Sequence, residues 1–560
     1  MGEIFIKRRI SISLVLLFLC IFIIPINLIS EEHKPTKAYQ LHRKFPEEKP
    51  TSRYYARYRD KFKSYSGTGS LIINNFGATS AEIYINGEKL NIKLPKDDKP
   101  LEIDLSAYTI DGENTIKVLN VKPEGAYITT KIPYPTLLHS TASKEGFSER
   151  KLKMVDNLIN NDIKMGFPGA QLIVIKNGKI IKNTTYGYSK LYDENGILSN
   201  PEPMTNDILF DLASNTKMMA TNLAIKKLVY EGKLDINEYV CRYLPDFEKE
   251  GREKITIKHL LEHTSGLDSS IKFYQEDTGA SPEFYSQNRS KTLELLNKVP
   301  LVYETGTKYL YSDTGFMILG YVVEMITDMQ LDEYVEKNIY EPLGLDHTLF
   351  TPLSKGFDVE DCAATETQGN TRGNTRTFPE IRKTTVQGEV HDEKAFYSLY
   401  GVAGHAGLFS NAEDLAVLCQ LMLNKGGYGE YRLCDENTID TFMNRSSINP
   451  NMAMGWNRAA DGDRLWMFSP YASSDAIGHT GWTGTLTIID PQYDLAIILL
   501  TNKKNTPCVD GKFIGDTFET GLYGSVVTLI YEAFLENRNN SIEAPLNNIR
   551  EEIEKLKPAA

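Results

Sequence analysis

Two pairs of strand-like segments, far apart along the chain, most constrain how this sequence can fold. Residues 171–176 and 179–184 have strand composition and are joined by Asn177-Gly178, a dipeptide typical of two-residue hairpin turns. Residues 486–490 and 495–501 form a second such pair, and the stretch between the two pairs is largely helical in pattern. Strands at both ends with helices between them predict one antiparallel sheet flanked by helices, an α/β fold.

Amphipathic helices are predicted beside both strand pairs. Ser148 is placed to cap a helix whose apolar residues recur on one face, and a last amphipathic helix covers about 524–535. We therefore predict one folded domain at 145–540, followed by a polar tail at 541–560.

The N-terminus has the pattern of an export signal. Basic residues at 7–9 precede an apolar run over about 10–29, which is long enough to cross a bilayer. No small-residue cleavage site follows the run, so residues 1–30 are predicted to be an uncleaved membrane anchor, in preference to a cleaved signal. Because the basic residues come first, the rest of the chain is expected outside the cytoplasm. Residues 31–65 are polar and predict an extended linker.

Residues 66–135 predict a separate small β-domain. Several strand-like segments occur there, with turns at Asn86-Gly87 and Asp111-Gly112. The stretch 104–116 resembles the β-sandwich modules that are appended to glycosidases, which implies a sandwich-like domain. Two roles stay open for it, namely binding of cell-wall glycan and simple spacing.

Charge and cysteine content exclude some classes of function. The formal net charge is −12, whereas a nucleic-acid partner would require a basic surface. The six cysteines include no C-x-x-C pair, so neither a zinc knuckle nor a redox dithiol is predicted.

The first catalytic signal is Ser214-Asn215-Thr216-Lys217. When the serine lies at the start of a helix, the lysine three residues later lies on the same face, within reach of the hydroxyl. That lysine can accept the serine proton if burial lowers its pKa, and the helix N-terminus favours an oxyanion nearby. The same spacing occurs at Ser148 and Ser269, but only Ser214 follows an apolar run and opens a long helix.

Two further motifs are weak singly and strong together. Tyr311-Ser312-Asp313 precedes a helical segment, and a loop tyrosine there can relay a proton, although alone it is more typical of a half-buried loop residue. His479-Thr480-Gly481 precedes a strand and suits an oxyanion or carboxylate, because glycine permits close approach of a substrate. The next amide, that of Trp482, would join the amide of Ser214 in an oxyanion hole.

The order of these motifs, S-x-x-K, Y-[SA]-[ND] and [KH]-T-G, is that of a known family. Residues from about 145 to 540 resemble the penicillin-recognising, class C β-lactamase-like serine hydrolases. The stretch 260–267 (LLEHTSGL) is similar to an element of that family. The stretches 390–393 (VHDE) and 401–410 (GVAGHAGLFS) are similar to penicillin-binding protein 4B-type members. The resemblance implies an antiparallel sheet, flanking helices and a mainly helical lobe.

The resemblance also implies a mechanism. Ser214 attacks a carbonyl to form an acyl-enzyme, Lys217 and Tyr311 handle protons, and water then hydrolyses the ester. The residues expected to bind substrate are Asp313, His479, Thr480, Gly481 and Trp482. Neither an organic cofactor nor a metal is implied. A metal cluster is conceivable but disfavoured, because its candidate ligands lack i,i+4 spacing; they are His391, Asp392, Glu393 and His405.

Two residues depart from the usual family pattern. Asp313 stands where asparagine is usual, and a carboxylate there is expected to raise the pKa of Lys217 and leave more of the proton transfer to Tyr311. His479 stands where many members have lysine, so it would supply a positive charge for a substrate carboxylate only when protonated.

The leading hypothesis is an enzyme that cleaves the D-alanyl-D-alanine end of peptidoglycan peptides at the bacterial cell membrane, or outside the cell if the signal is cleaved. An esterase or weak β-lactamase of the same fold is the first alternative. A cell-wall-binding protein without catalysis is the second, and the complete set of Ser214, Lys217 and Tyr311 argues against it.

Overall fold

The computed structural model describes residues 36–46, 60–96, 99–276, 282–459, 464–535 and residue 551. The predicted membrane anchor at 1–30 and nearly all of the tail at 541–560 lie outside this part of the chain. Among the described residues, no helix combines the length and the apolar character that crossing a bilayer requires. All elements below belong to one compact unit, Lys37–Ala560.

The first part of this unit is a sandwich of two four-stranded β-sheets. One sheet has the strand order Leu41–Phe45, Tyr127–Ile132, Ser70–Phe76 and Leu101–Asp104. The other has the order Asp60–Ser64, Gly112–Lys122, Ser80–Ile85 and Glu88–Lys89. Buried alternate residues of both sheets, such as Ile73 and Ile83, form its core. The predicted turn is present, since Asn86 and Gly87 have φ of 50° and 89°.

The sandwich begins earlier in the sequence than predicted. Leu41–Phe45 and Asp60–Ser64 lie in the stretch 31–65, for which the sequence indicates a linker. Both are edge strands with few buried side chains, and charged residues fill most of their exposed positions. Edge strands commonly carry such charges, which hides the apolar alternation that identifies a strand.

A seven-stranded sheet forms the centre of the larger domain. Its order is Asn457–Arg458, Ile477–Thr480, Thr485–Asp490, Leu495–Thr501, Gly169–Lys176, Lys179–Gly187 and Leu138–His139. The two predicted strand pairs are therefore neighbours, because Gly169–Lys176 pairs with Leu495–Thr501. Every pairing is antiparallel except that of the short edge strand Leu138–His139. The predicted α/β fold is confirmed.

Helices cover both faces of this sheet. Alternate residues of one strand enter two different cores, Leu172 on one side and Ile173 on the other. Helices Glu149–Lys164 and Gly524–Phe534 cover the first side, and the hydroxyl of Ser148 caps the former helix as predicted, accepting the amide of Lys151. The other α-helices are Leu223–Tyr230, Ile257–Leu261, Arg289–Leu296, Asp313–Thr327, Leu331–Val335, Glu341–Leu343, Ala412–Leu423, Glu436–Met443, Leu465–Phe468 and Glu519–Leu522.

Short strands complete the larger domain. Phe210–Asp211, Leu408–Ser410 and Leu349–Phe350 form a three-stranded sheet in that order. The two-stranded pairs are Tyr192–Asp193 with Gly196–Ile197, Gly427–Tyr428 with Tyr431–Arg432, and Cys508–Val509 with Lys512–Phe513.

A partly buried polar cluster joins the sandwich to the larger domain. The ammonium of Lys63 lies 3.0 Å from Asp494 Oδ2, and the hydroxyl of Tyr65 donates to Asp494 Oδ1 at 3.1 Å. Gln420 donates to the same tyrosine hydroxyl at 2.9 Å. A Cβ atom on Gly178 would lie 2.2 Å from the Tyr65 ring, so the predicted Asn177-Gly178 turn also provides room for this contact.

Candidate active site

Ser214 lies where a strand turns into a helix. The short strand Phe210–Asp211 is followed by a 3-10 turn at Ala213–Asn215, a π-helical segment at Lys217–Asn222 and then the α-helix Leu223–Tyr230. Ala213 has φ of 45°, a left-handed conformation that costs roughly 1–2 kcal/mol for a residue with a side chain.

Asp211 holds this strained turn in place. Its carboxylate accepts the amides of Ala213 at 2.8 Å and of His391 at 2.7 Å. Burial raises the pKa of Asp211 to about 6, even though both amides favour the charged form. No pattern in the sequence predicts Asp211 as part of the site.

Asn215 fastens the nucleophile turn to the central sheet. Its buried side-chain amide bonds the hydroxyls of Thr485 at 3.0 Å and Thr487 at 2.9 Å, both on the strand Thr485–Asp490. A Cβ atom on Gly481 would lie 2.3 Å from the carbonyl oxygen of Leu212. Glycine is therefore required here for contact between the protein's own segments, whereas the sequence suggested close approach of a substrate.

Lys217 is fully buried directly beneath Ser214. Its ammonium donates to Ser214 Oγ at 3.0 Å and to the carbonyl oxygen of His405 at 3.0 Å, and it lies 2.9 Å from Asp313 Oδ1. An ammonium has three N–H bonds, so each of them has an acceptor.

The charge on Lys217 is decided by its partners. Burial acts to lower the pKa of Lys217, but the carboxylate of Asp313 and the phenol of Tyr311 outweigh burial and raise it. The lysine is therefore an ammonium at neutral pH and donates to the serine oxygen. This agrees with the effect expected from Asp313 at a position where asparagine is usual.

Asp313 is shared between two lysines. While Oδ1 faces Lys217, Oδ2 lies 2.9 Å from the ammonium of Lys394. Lys394 also lies 3.4 Å from Asp392, which in turn bonds His405 Nε2 at 2.9 Å. Burial acts to raise the pKa of Asp313, but the two lysines and His405 lower it well below its usual range. Lys394 thus offsets the extra negative charge that Asp313 brings.

The same cluster contains two of the four conceivable metal ligands, Asp392 and His405. Ligand atoms of Asp313, Asp392 and His405 lie within 4.8 Å of one another. The ammonium of Lys394 contacts both carboxylates, so the negative charge that would attract a metal ion is already paired. Glu393 points to a different cluster, with Arg372 and Arg376.

Tyr311 lies beside the lysine and partly faces solvent. Its ring centroid is 5.0 Å from Lys217 Nζ, and its side chain is 37% exposed. The ring packs against His263 at 4.7 Å, and His263 Nδ1 accepts the amide of Ser312 at 3.1 Å. His263, in the LLEHTSGL stretch, therefore supports the loop that presents Tyr311. Burial, followed by the charge of Lys217, lowers its pKa to about 3.

His479 is buried behind Tyr311. Its ring is 3% exposed, and Nδ1 lies 2.8 Å from the carbonyl oxygen of Thr480. Burial, with the nearby charge of Lys217, lowers the pKa of His479 to about 3, so the ring is neutral at physiological pH. This differs from the titratable substrate-binding charge that the sequence suggested.

A pocket of about 330 Å³ opens above Ser214. Of the predicted site residues, Ser214, Tyr311, Asp313 and Trp482 line it, whereas Lys217 lies beneath and His479, Thr480 and Gly481 form the strand end behind it. Among the described residues, no hydrogen bond occupies the amide of Ser214 or of Trp482, which leaves both amides available to an oxyanion.

A cluster of charged residues holds the side chain of Trp482. Arg372 lies 4.3 Å from the Trp482 ring centroid, and the ring of His391 stacks on it at 4.4 Å. Arg372 is itself paired with Glu366 and, at 2.8 Å, with Glu393. This cluster comes from the irregular stretch 366–393, and the sequence analysis did not predict it.

The fold and this site together define a serine hydrolase whose nucleophile and lysine come from an S-x-x-K motif. A family model described as Beta-lactamase matches residues 155–514, most of the larger domain. The protein belongs to the beta-lactamase family, which includes penicillin-binding-protein-like serine hydrolases.

Named relatives share most of this domain. An N-acetylmuramyl-L-alanine amidase of Bacillus subtilis is 54% identical over 398 residues, 69% of this chain and 90% of the relative. A protein of Salmonella agona named D-alanyl-D-alanine carboxypeptidase is 44% identical over 411 residues, 71% of this chain and 95% of the relative. The octameric penicillin-binding protein homologue of Pyrococcus abyssi has the same fold, with a TM-score of 0.50 and 21% identity over 73% of this chain and 82% of that one.

Proposed function

We propose that this protein hydrolyses an amide bond in peptidoglycan fragments through an acyl-enzyme on Ser214, and that the preferred bond joins N-acetylmuramic acid to L-alanine. The observation that carries the acyl-enzyme is the 3.0 Å hydrogen bond from the buried Lys217 ammonium to Ser214 Oγ at the base of the pocket. The Bacillus subtilis relative supports the choice of bond.

Proton transfer in this mechanism begins from a charged lysine. Lys217 stabilises the negative charge that develops on Ser214 Oγ, but it has no free lone pair for the serine proton. Tyr311 lines the same pocket as the serine, and its phenol oxygen accepts the serine proton while its own proton passes to the leaving nitrogen. The carbonyl oxygen of the substrate is held by the amides of Ser214 and Trp482. Water then hydrolyses the acyl-enzyme and restores the serine.

Cleavage of a terminal D-alanyl-D-alanine bond is the second candidate. The Salmonella agona relative favours it, as do the stretches that resemble penicillin-binding protein 4B-type members. The neutral ring of His479 supplies no positive charge to the terminal carboxylate of such a substrate. We prefer the muramyl bond because the Bacillus subtilis relative is 54% identical to this chain, against 44% for the Salmonella agona relative.

We also propose that the enzyme works outside the cytoplasm of a bacterial cell, tethered by its N-terminal segment. The basic residues at 7–9 and the apolar run that follows support this location. Protease added to intact spheroplasts should digest the hydrolase domain, while a cytosolic marker survives. Protection of the domain would overturn the location.

The test of the reaction is product analysis with purified protein. We expect N-acetylmuramyl-L-alanine to yield N-acetylmuramic acid and free L-alanine, and a peptide ending in D-alanyl-D-alanine to release D-alanine more slowly. Ser214→Ala is the matched control for both reactions. Release of D-alanine alone would favour the second candidate. Turnover of an aryl ester with neither amide cleaved would identify an esterase and overturn the proposal.

A further inference from the structure

The charges around the pocket are unevenly compensated. Beneath Ser214, the ammonium groups of Lys217 and Lys394 face the carboxylates of Asp313 and Asp392, so this inner cluster is balanced. A second set of charges lies on the outer wall of the same pocket.

On the outer wall, two arginines are paired with two carboxylates. Arg372 and Arg376 both pair with Glu393, at 2.8 Å and 3.4 Å. Glu366 pairs with Arg372 and His391. Two carboxylates therefore serve two arginines, and the arginine nearer to solvent has the longer contact.

Lys272 adds a further positive charge to this wall. It is exposed and lines the same pocket as Ser214, and no carboxylate among the described residues lies within ion-pair distance of it. The side chain of Arg376 is 47% exposed and also lines the pocket. The surplus positive charge of the pocket is thus that of Lys272, and beside it the exposed Arg376 has only the longer contact with Glu393.

We propose that Lys272 and Arg376 form a carboxylate-binding subsite for the peptide on the leaving-group side of the scissile bond. Each can donate hydrogen bonds to a carboxylate without first breaking a short ion pair, and a charge-assisted bond of this kind is about twice as strong as a neutral one. This deepens the proposed function, on which it rests, because it names the acidic stem peptide as the part of the substrate that is recognised.

The subsite also explains how an acidic substrate is held when His479 is neutral. In the sequence-based expectation a carboxylate meets the [KH]-T-G motif, but that ring is buried here and has no charge. The positive charge available to a ligand is instead that of Lys272 and Arg376, which line the pocket. A peptide carboxylate beyond the leaving nitrogen and the terminal carboxylate of a D-alanyl-D-alanine peptide are both possible ligands, and the test separates them.

The experiment compares acidic and amidated forms of one substrate. For N-acetylmuramyl-L-alanine against its carboxamide, we expect kcat/KM of the unaltered enzyme to favour the acid about tenfold. In the Lys272→Gln, Arg376→Gln double variant this preference should fall to about one, and Lys272→Glu should favour the carboxamide. The same pair of measurements on a D-alanyl-D-alanine peptide shows which carboxylate the subsite prefers. Lys298→Met, an exposed lysine outside the pocket lining, is the matched control and should keep the full preference.

Failure of this proposal can be distinguished from failure of the proposed function. If no amide is cleaved, the same ratio is measured with an acetyl ester whose phenol carries a carboxylate and with its carboxamide analogue. A preference for the acid that disappears in the double variant would support the subsite even then. A preference unchanged in the double variant, on amides or on esters, would overturn it. Melting temperatures of all variants show whether the fold is retained.

Discussion

Two lysine–aspartate pairs of similar length behave in opposite ways. Lys217 lies 2.9 Å from Asp313 in the active site, and Lys63 lies 3.0 Å from Asp494 where the sandwich meets the larger domain. Burial acts to lower the pKa of both lysines. At Lys217, Asp313 and Tyr311 outweigh burial and the pKa rises. At Lys63 burial prevails and the pKa falls, with the charge of Lys425 acting in the same direction.

The partners of a lysine, and not burial alone, therefore decide its charge. Asp494 also accepts the hydroxyl of Tyr65, so its oxygens serve a contact between two parts of the protein. Lys217 instead donates one of its N–H bonds to the hydroxyl of Ser214, which faces the active-site pocket. The Lys217–Asp313 pair acts at the active site, whereas the Lys63–Asp494 pair connects the sandwich to the larger domain. Each pair can be tested separately.

Removing the nucleophile should have the largest effect, and only on chemistry. Ser214→Ala is expected to reduce kcat on the order of 10⁶-fold, as loss of a nucleophilic serine does in proteases, with little change in the melting temperature. Covalent labelling by a fluorophosphonate should disappear. Ser148→Ala and Ser269→Ala, which have the same S-x-x-K spacing, should still be labelled; labelling that survives in Ser214→Ala would refute the assignment.

Breaking the active-site pair should cost both stability and activity. Asp313→Asn leaves two buried ammonium groups facing one fewer carboxylate, which is expected to lower the free energy of unfolding by about 3–5 kcal/mol. It should also lower the pKa of Lys217, so activity should decline at a lower alkaline pH than in the unaltered enzyme.

A double-mutant cycle tests the role of Lys394 in this pair. Asp313→Asn with Lys394→Met removes one charge of each sign and should recover most of the lost stability in urea unfolding. Additive losses in the double variant would contradict the claim that Lys394 offsets Asp313.

The comparison of buried titratable groups extends to the pH dependence of stability, through two buried histidines that form no ion pair with a carboxylate among the described residues. His263 and His479 have pKa values of about 3 in the folded protein, below the reference value near 6.5. The unfolded chain therefore binds more protons in acid, and stability must fall as the pH drops below 6.5. Each histidine should contribute about 2 kcal/mol of this loss between pH 6.5 and 5. His479→Gln should flatten the dependence, and an unchanged slope would show that the ring is protonated when folded.

The smallest effect is expected at the junction. Tyr65→Phe removes the hydrogen bonds to Asp494 and Gln420 while keeping the ring, and should lower the free energy of unfolding by about 1 kcal/mol. The kcat for an aryl ester should not change, because no part of this cluster lines the active-site pocket. A large loss of kcat would show that the sandwich helps to shape the site.

Much of the fold and the centre of the site could be predicted because their signals are local. The Asn177-Gly178 turn and the helix cap at Ser148 depend on a few adjacent residues. The three-residue spacing of Ser214 and Lys217 does bring the two side chains together, although the segment is 3-10 and π-helical there and not the start of a regular α-helix. The order of three motifs then located Tyr311.

The rest of the site depends on tertiary contacts that leave no periodic signal. Lys394 and Arg372 come from an irregular stretch, and their carboxylate partners are supplied by folding. Lys394 had no signal, because Asp313 and Lys217 already balance each other and only the folded site brings Asp392 beside them. The burial of His479 had no signal either, since the sequence of a strand end does not reveal what packs over it.

The attachment of Asn215 to the strand Thr485–Asp490 has a consequence for how the enzyme is made. Thr485, which anchors the nucleophile turn, is 270 residues further along the chain than Asn215. On the ribosome, the serine is therefore synthesised long before the strand that holds it in place. A nascent or C-terminally clipped chain that lacks this strand also lacks the two threonine hydroxyls that fasten Asn215. The nucleophile turn is thus fully anchored only when synthesis of the domain is nearly complete.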